Sequence, residues 1–559
     1  MSSNDPQSEP SKPAPGKGGY ASAALKGSFW MIVNTILTRI GSFIAQIFLA
    51  WWLTKYDFGL SGVAIALSGI ASVLRDGGVR QILLKDHHDH DRLLGPCFWM
   101  AMAFNITLAV LLTIIAWPAA DLYNDQLLIP MMLVIAWAIP LGTPGGILLT
   151  KLLADMRYRE NASVMTASAM TRYVSSIAFA YMGFGPLSFA LPNILCSLVE
   201  NAMAWHYCRQ RPWVQAPHPG MWWSLFLRSR WALVAILGIS GMNQGPGAAI
   251  GLAAPLEVVG VYTFTFLIVV QVGSLLSTNI NQVLVPVFTR LADDEERKRA
   301  AVLRTLRQIM VLATIMSLGL AVTFRPFEAI VWKEKWVVSV LPVQIVGMGY
   351  AVNVLIAISL AVQQARGQFR AWGLGLISLA IGTMGSAYLG AWYAQPQLTK
   401  AITAAMISPS CRQFVDDAVL YSSVCIAVAT AGFGVLSSLV HVAIALKPLG
   451  VSRRSVLTNA VKVWILGLIA GFAAIALDLR LLQPVHTIVA QLLPSASLAS
   501  FVADSILFTI SGSFFLAIDV GLIRLLTPDT LRESIQIIPA RFRAPAARFL
   551  ALTPESTRA

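Results

Sequence analysis

The chain has 559 residues, of which 56% are hydrophobic and only 12% charged, and its formal net charge is +14. A soluble domain carries about 25% charged residues, so this composition excludes a water-soluble enzyme built on a single core. It points to a bilayer, where only helices or closed barrels satisfy the backbone polar groups.

Residues 1–24 open the chain with a stretch rich in Pro, Ser and Lys that lacks the apolar centre of a cleavable signal, and they read as a disordered cytoplasmic tail. About 20 apolar residues cross the hydrocarbon as a helix. Runs of that length follow at 28–53, 58–84, 94–118, 127–152, 161–183, 187–207, 231–253, 258–286, 307–328, 338–362, 371–393, 415–445, 457–477 and 500–526. The fold expected is an all-α polytopic membrane protein of about 14 transmembrane helices. Two six-helix bundles (25–212 and 213–450), two additional helices (451–530) and a cytoplasmic tail (531–559) divide it. The stretch 532–548 alternates Arg with apolar residues and suits either an amphipathic segment on the inner leaflet or a plain tail.

Roughly three-quarters of the 41 Lys and Arg side chains fall in the termini and the alternate loops. That bias predicts both termini on the cytoplasmic side. It also accounts for the positive charge through topology and anionic lipid, without nucleic acid as a partner. The longest outer connections are expected at 394–414 and 478–499.

Ionisable groups at membrane depth are costly and usually face protein interior or wet cavities. In the first span Asn34, Thr38, Ser42 and Gln46 recur every four residues with Arg39 at the border, so one face is polar. The second span offers Ser61, Ser68 and Ser72 and ends in Arg75-Asp76. The fifth adds Thr166, Ser168, Thr171, Arg172 and Ser175, and the eighth Gln271, Ser274, Thr278, Asn281 and Gln282. Single Ser and Thr residues in such helices usually bond back to their own carbonyls or across to a neighbouring helix. A guanidinium is different: its planar fork of donors suits phosphate, so Arg39 and Arg172 imply a water-accessible cavity that attracts anions. Carboxylates at this depth look scarce, with Glu200 the clearest, as a partner for a cation or a carrier of a coupling ion. Gly245-Pro246-Gly247 in the seventh span predicts an interrupted helix, with Asn243 and Gln244 as the polar groups beside the break. Lys462 lies near a cytoplasmic end, where it can snorkel.

Other chemistry is missing. There is no G-x-x-x-x-G-K-[ST] phosphate loop, no assembly of nucleophile and base, and no paired spacing among the five cysteines. His87, His88, Asp89, His90 and Asp91 read as a short solvated loop, with metal binding as the lesser alternative. No resident metal or cofactor is expected beyond a coupling proton or sodium ion, and no enzymatic activity.

Leu53 to Ser61 reads L-T-K-Y-D-F-G-L-S and Leu256 to Tyr262 reads L-E-V-V-G-V-Y, each placing an acid and then a glycine ahead of a polar-striped helix. The echo suggests a parallel repeat of six spans. With these segments, R-D-G-G-V-R-Q-I-L from Arg75, Val285-Pro286-Val287-Phe288 with Leu291-Ala292-Asp293, and Trp336 to Leu341, the chain resembles the polysaccharide flippase family. These are Wzx-like oligosaccharide-lipid translocases of the multidrug/oligosaccharidyl-lipid/polysaccharide exporter superfamily. The likeness runs over roughly residues 20–450.

What the resemblance implies is a V-shaped pair of bundles in the bacterial inner membrane. It would move an undecaprenyl-diphosphate-linked oligosaccharide by alternating access, for exopolysaccharide, capsule or O-antigen export. A polysaccharide polymerase and glycosyltransferases are the implied partners. The seventh span departs from the pattern, with Asn243-Gln244 where many relatives carry an acid. Arg39, Arg172, Asn34, Gln46, Arg75, Asn243, Gln244, Gln271 and Asn281 are the expected substrate-binding set. The alternatives are a flippase for the peptidoglycan lipid precursor, a drug or cation antiporter of the same superfamily, and a non-transporting scaffold of polysaccharide assembly.

Overall fold

A computed structural model describes residues 17–74, 90–217, 219–271, 273, 295–407, 412–450, 452–493 and 495–527. Arg75 and Asn281 lie outside these residues, as do Ser274, Thr278, Gln282, His87 to Asp89, Cys411 and the far C-terminus.

Apolar length makes nearly every element a helix. α1 (Lys17–Trp52), α2 (Lys55–Leu74), α3 (His90–Tyr123), α4 (Leu128–Leu141), α5 (Thr143–Ala154), α6 (Tyr158–Tyr181) and α7 (Pro192–Cys208) come first. They are followed by α8 (Pro219–Gly251), α9 (Leu256–Gln271), α10 (Glu295–Trp332), α11 (Val340–Asn353), α12 (Leu355–Ala365), α13 (Phe369–Ile407) and α14 (Arg412–Leu446). α15 (Arg453–Leu492) and α16 (Ala496–Leu526) close the chain. Among the described residues, 10 helices are long and apolar enough to span a membrane, or 11 counting one bent pair. α2, α6 and α9 are shorter or more polar and complete the alternation. Large apolar side chains such as Ile114, Trp137, Trp392 and Phe472 remain exposed on the outside, which suits helices whose solvent is lipid.

α1 packs on α6, α3 on α4, and α6 on α7; in the second half α13 packs between α8 and α14, and α11 between α10 and α14. The halves meet where α2 lies against α8. α10 also supports the final pair, since both α15 and α16 pack on it and on each other.

Three expectations need correction. α8 is not interrupted at Gly245-Pro246-Gly247 but runs unbroken from Pro219 to Gly251. The glycines serve close packing: a Cβ on Gly247 would lie 3.1 Å from the Gly62 carbonyl oxygen, and one on Gly245 would lie 2.6 Å from the Met384 sulfur. Neighbouring helices at this depth can absorb the one backbone bond that proline removes.

The break lies instead in the fourth span, where α4 and α5 meet at 46° across Gly142. Asn201 of α7 holds that corner by accepting from the Gly145 amide at 2.7 Å and donating to the Leu141 carbonyl at 2.7 Å. Lastly, much of the expected outer connections is helical, because α13 continues through Pro396 to Ile407 and α15 through Pro484 to Leu492. At the other extreme, α1 already begins at Lys17, ahead of the boundary placed at residue 25.

Candidate functional site

The site is framed by a sealed end and an open interior. The sealed end carries Trp51, Tyr123, Trp332 and Trp336, and is called the gate here; Arg157, Arg209, Arg230, Arg366 and Arg454 mark the opposite, basic end.

At the gate the two echoed segments meet. A Cβ on Gly59 would lie 1.8 Å from the Leu256 carbonyl oxygen, and a Cβ on Gly260 would lie 1.7 Å from that of Lys55. Each glycine faces the carbonyl four residues before the other, so α2 and α9 cross reciprocally, in the manner of a two-fold axis. The glycines of the sequence echo are there because any side chain would strike backbone.

Around this crossing, α10 and the turn after it grip α1. The Trp332 indole donates to the Ile47 carbonyl at 3.1 Å and the Trp336 indole to that of Ala50 at 3.0 Å. Lys335 Nζ donates to the carbonyls of Trp51 and Leu53, both at 2.8 Å, and Trp51 donates back to Val331 at 2.6 Å. Burial pushes the Lys335 ammonium below the ordinary lysine range, with the Asp57 carboxylate opposing. Phe264 stacks on Trp336 with centroids 4.1 Å apart, and Phe58 meets the same indole edge-on at 5.1 Å. Lys55 reaches Asp416 at 3.2 Å, Tyr123 donates to Ala248 at 2.9 Å, and Tyr56 donates to Asp125.

Behind the gate lies a chamber of about 550 Å³ between α2, α4, α6, α7 and α8. Ser68, Arg172, Asn193, Cys196, Glu200 and Gln244 line it together with Ile65 and Ile135. Arg172 donates to Asn193 Oδ1 at 3.0 Å, and Asn193 is held by its own donation to the Ala190 carbonyl at 2.9 Å. Glu200 is buried. Both charges act on the Cys196 thiol between them, so the chamber is polar and mixed in charge rather than purely cationic. Counted along α6 at about 1.5 Å per residue, Arg172 lies about 14 Å from the gate end of the helix.

A second chamber of about 240 Å³, mostly apolar, sits among α8, α9, α11, α12, α13 and α14, with Asn243, Tyr262, Tyr350 and Asn353 in its wall. Asn243 donates to its own helix at Ile239, 2.9 Å away.

The expected residues therefore divide. Arg172, Gln244 and Glu200 share the larger chamber and Asn243 joins the smaller one. Arg39 lines neither. Its guanidinium acts on the Tyr350 phenol, near the point where Gln271 donates to Ser42 at 2.7 Å and ties α9 to α1. Asn34 is buried against α6, accepting from Thr166 at 2.7 Å, and Gln46 is buried with its amide oxygen lacking a hydrogen-bond partner among the described residues. Lys462 donates to the Leu526 carbonyl at 2.9 Å and so caps α16.

Carboxylates inside the helices prove more numerous than Glu200 alone. Glu328, Asp478, Asp504 and Asp519 are also buried. Asp504, Ser511, Phe515 and Asp519 follow helical spacing on α16, and that regularity was the available signal. Glu328 fixes the gate turn by accepting from the Trp336 amide at 2.7 Å.

Comparison with known proteins places this arrangement. Residues 48–341, just over half of the chain, match the model of the family described as "Polysaccharide biosynthesis protein". The chain belongs to that family. It is 24% identical over 332 residues to the lipopolysaccharide biosynthesis protein WzxC of Escherichia coli (strain K12), covering 57% of this chain and 65% of the relative. It is 21% identical over 318 residues to the succinoglycan biosynthesis transport protein ExoT of Rhizobium meliloti (strain 1021), covering 55% and 62%. The match thus spans a little under two thirds of each of these relatives.

Among solved structures, the lipid II flippase MurJ in an inward closed conformation superposes with a TM-score of 0.59 at 11% identity, over 88% of this chain and 98% of that one. An inward-facing multidrug resistance transporter of the MATE family gives 0.54 at 11% identity, over 75% and 98%. At such identities the likeness concerns the fold alone.

Proposed function

We propose that the protein is a flippase that carries a lipid-diphosphate-linked oligosaccharide across the bacterial inner membrane by alternating access, leaving its cargo chemically unchanged. The reading places both termini and the basic end in the cytoplasm, the gate on the outer face, and the moving parts at 25–212 and 213–450. The observation that carries it is the guanidinium of Arg172, held by Asn193 over a polar chamber at membrane depth and behind a closed gate. A forked donor in that position suits a diphosphate. Such a headgroup would enter from the cytoplasm while its prenyl tail stays among the exposed apolar side chains of the lipid face. Arg39, on the α1 side near Tyr350, is a second cation on the route rather than part of the same chamber. Polymerase and glycosyltransferases acting on the same carrier lipid are the partners this activity requires.

Charge-assisted hydrogen bonds contribute about 1.5–3 kcal/mol, so Arg172→Ala should lower export about 10- to 100-fold at unchanged membrane abundance. Export of radiolabelled cell-surface polysaccharide in a flippase-deleted strain measures it. Normal export from Arg172→Ala would remove the proposed headgroup anchor. Rescue of a strain lacking its peptidoglycan-precursor flippase instead would reassign the cargo.

A further inference from the structure

The two helices that follow the second half contain a carboxyl that the flippase reading does not use. Asp519 on α16 is completely buried, and neither of its oxygens has a hydrogen-bond partner among the described residues. Facing it across the contact with α10, Thr314 is also completely buried, and its hydroxyl has no partner among the described residues either. Gly467 of α15 opens the space between them: a Cβ there would lie 2.1 Å from Thr314 Cγ2 and 3.4 Å from Asp519 Oδ1. One turn to either side along α16, Phe515 and Ile523 are fully buried in apolar clusters that include Leu318 and Ala470, and Ala313 and Val463.

The charged and titratable side chains on the surrounding helices are placed elsewhere. Arg325 of α10 pairs with Asp478 of α15 at 3.6 Å, and His486 of α15 meets Asp504 of α16 at 3.1 Å, both toward the gate. Lys462 of α15 caps the Leu526 carbonyl. Arg304, Arg307 and Arg524 lie toward the basic end of α10 and α16, and no charged group among the described residues acts on Asp519. α11 contributes Tyr350, which faces Arg39. An ionised carboxylate is not retained unpaired in such a place, and the surroundings are packed side chains, so a proton is the neutralising ligand that needs no further room.

α10 connects this carboxyl to the gate. Its middle, at Thr314 and Leu318, covers Asp519, and its far end carries the turn that holds α1 through Trp332, Lys335 and Trp336. A tilt of α10 relative to α15 and α16 that frees those bonds would also change the cover over Asp519.

We propose that Asp519, opposite Thr314, is a proton-carrying site in the membrane interior whose access to water is controlled by α10, so that loss and uptake of a proton accompany opening and closing of the gate. When α10 moves, the carboxyl O–H bond breaks, the proton passes to an entering water to give hydronium, and the electron pair stays on the carboxylate; closure reverses the step. The coupling rests on the transport reading, but the proton site does not.

The full chain in lipid vesicles therefore gives two independent readouts. In infrared spectra, the carbonyl stretch of a protonated carboxylic acid should be present in the wild type across neutral pH and lost in Asp519→Asn; in Trp336→Ala, where the gate is loosened, it should titrate with pH. An identical band in wild type and Asp519→Asn overturns the site. For wild-type protein, which needs no altered fold, labelling by dicyclohexylcarbodiimide read by mass spectrometry should mark Asp519; reaction at other carboxyls with none at Asp519 also overturns it. A confirmed band in a protein that exports no lipid-linked carbohydrate retains the site and discards the flippase reading. Export by Asp519→Asn as steep in its response to an imposed pH gradient as wild type overturns the coupling.

Discussion

The gate and the larger chamber are built from similar helices and behave as opposites. At the gate, indole and ammonium donors reach backbone carbonyls of the other half, and the aromatic faces interlock around Trp336. In the chamber, Arg172, Asn193 and Gln244 line a cavity, and the bond between Arg172 and Asn193 joins side chain to side chain rather than side chain to backbone. The difference shows where each kind of polar group is useful: carbonyl-directed donors weld helix ends together, whereas a guanidinium steadied by one amide keeps donors in reserve for a ligand.

Loss of the gate should have the largest consequence. Truncating a buried aromatic costs about 3–5 kcal/mol, so Trp336→Ala should open the chamber from the gate side. With the native cysteines removed and Ser68→Cys introduced, a membrane-impermeant thiol reagent added at the gate face should label the Trp336→Ala protein and spare its parent. Equal labelling of the two would mean that the indole is not what seals that end.

Somewhat smaller effects are expected at the glycine crossing, because overpacking typically costs about 1–3 kcal/mol. Gly59→Ala and Gly260→Ala should each increase the same labelling, and by similar amounts, since each new Cβ meets the carbonyl of the other helix at nearly the same separation. A strongly unequal pair would break the reciprocity inferred from the crossing.

The smallest effect concerns pH. Lys335 binds its proton less readily at the closed gate than in water because burial disfavours the ammonium. Well below its lowered value the proton is present in both states and closure carries the full penalty. As pH rises from that value toward about 10.4, the closed state releases its proton first and is favoured. Labelling of Ser68→Cys, corrected with an exposed reference cysteine, should therefore fall with rising pH, and Lys335→Met should flatten the response.

Much of this could be read along the chain. Apolar run length predicted the spans, because crossing a bilayer is a demand on consecutive residues, and the L-T-K-Y-D-F-G and L-E-V-V-G echo marked the two segments that the fold brings together. Arg172 and Glu200 were identified by their cost at membrane depth. Less visible were the bend at Gly142, which is held by Asn201 from another helix, and the continuity of α8 through Pro246. Asp519 was hidden because one acid in a long apolar run differs little from an interfacial one until its neighbours are known.

Sequence alone determined the class of protein and its helices, since these depend on local hydrophobic length and on the charges carried within each run. Tertiary structure alone decided which polar groups close the gate, which face the chamber and which carboxyl is left without a partner. Hydrogen bonds and close helix approach join residues far apart in the chain, such as Ala50 and Trp336 or Gly467 and Asp519, and no periodicity within a single helix encodes that meeting.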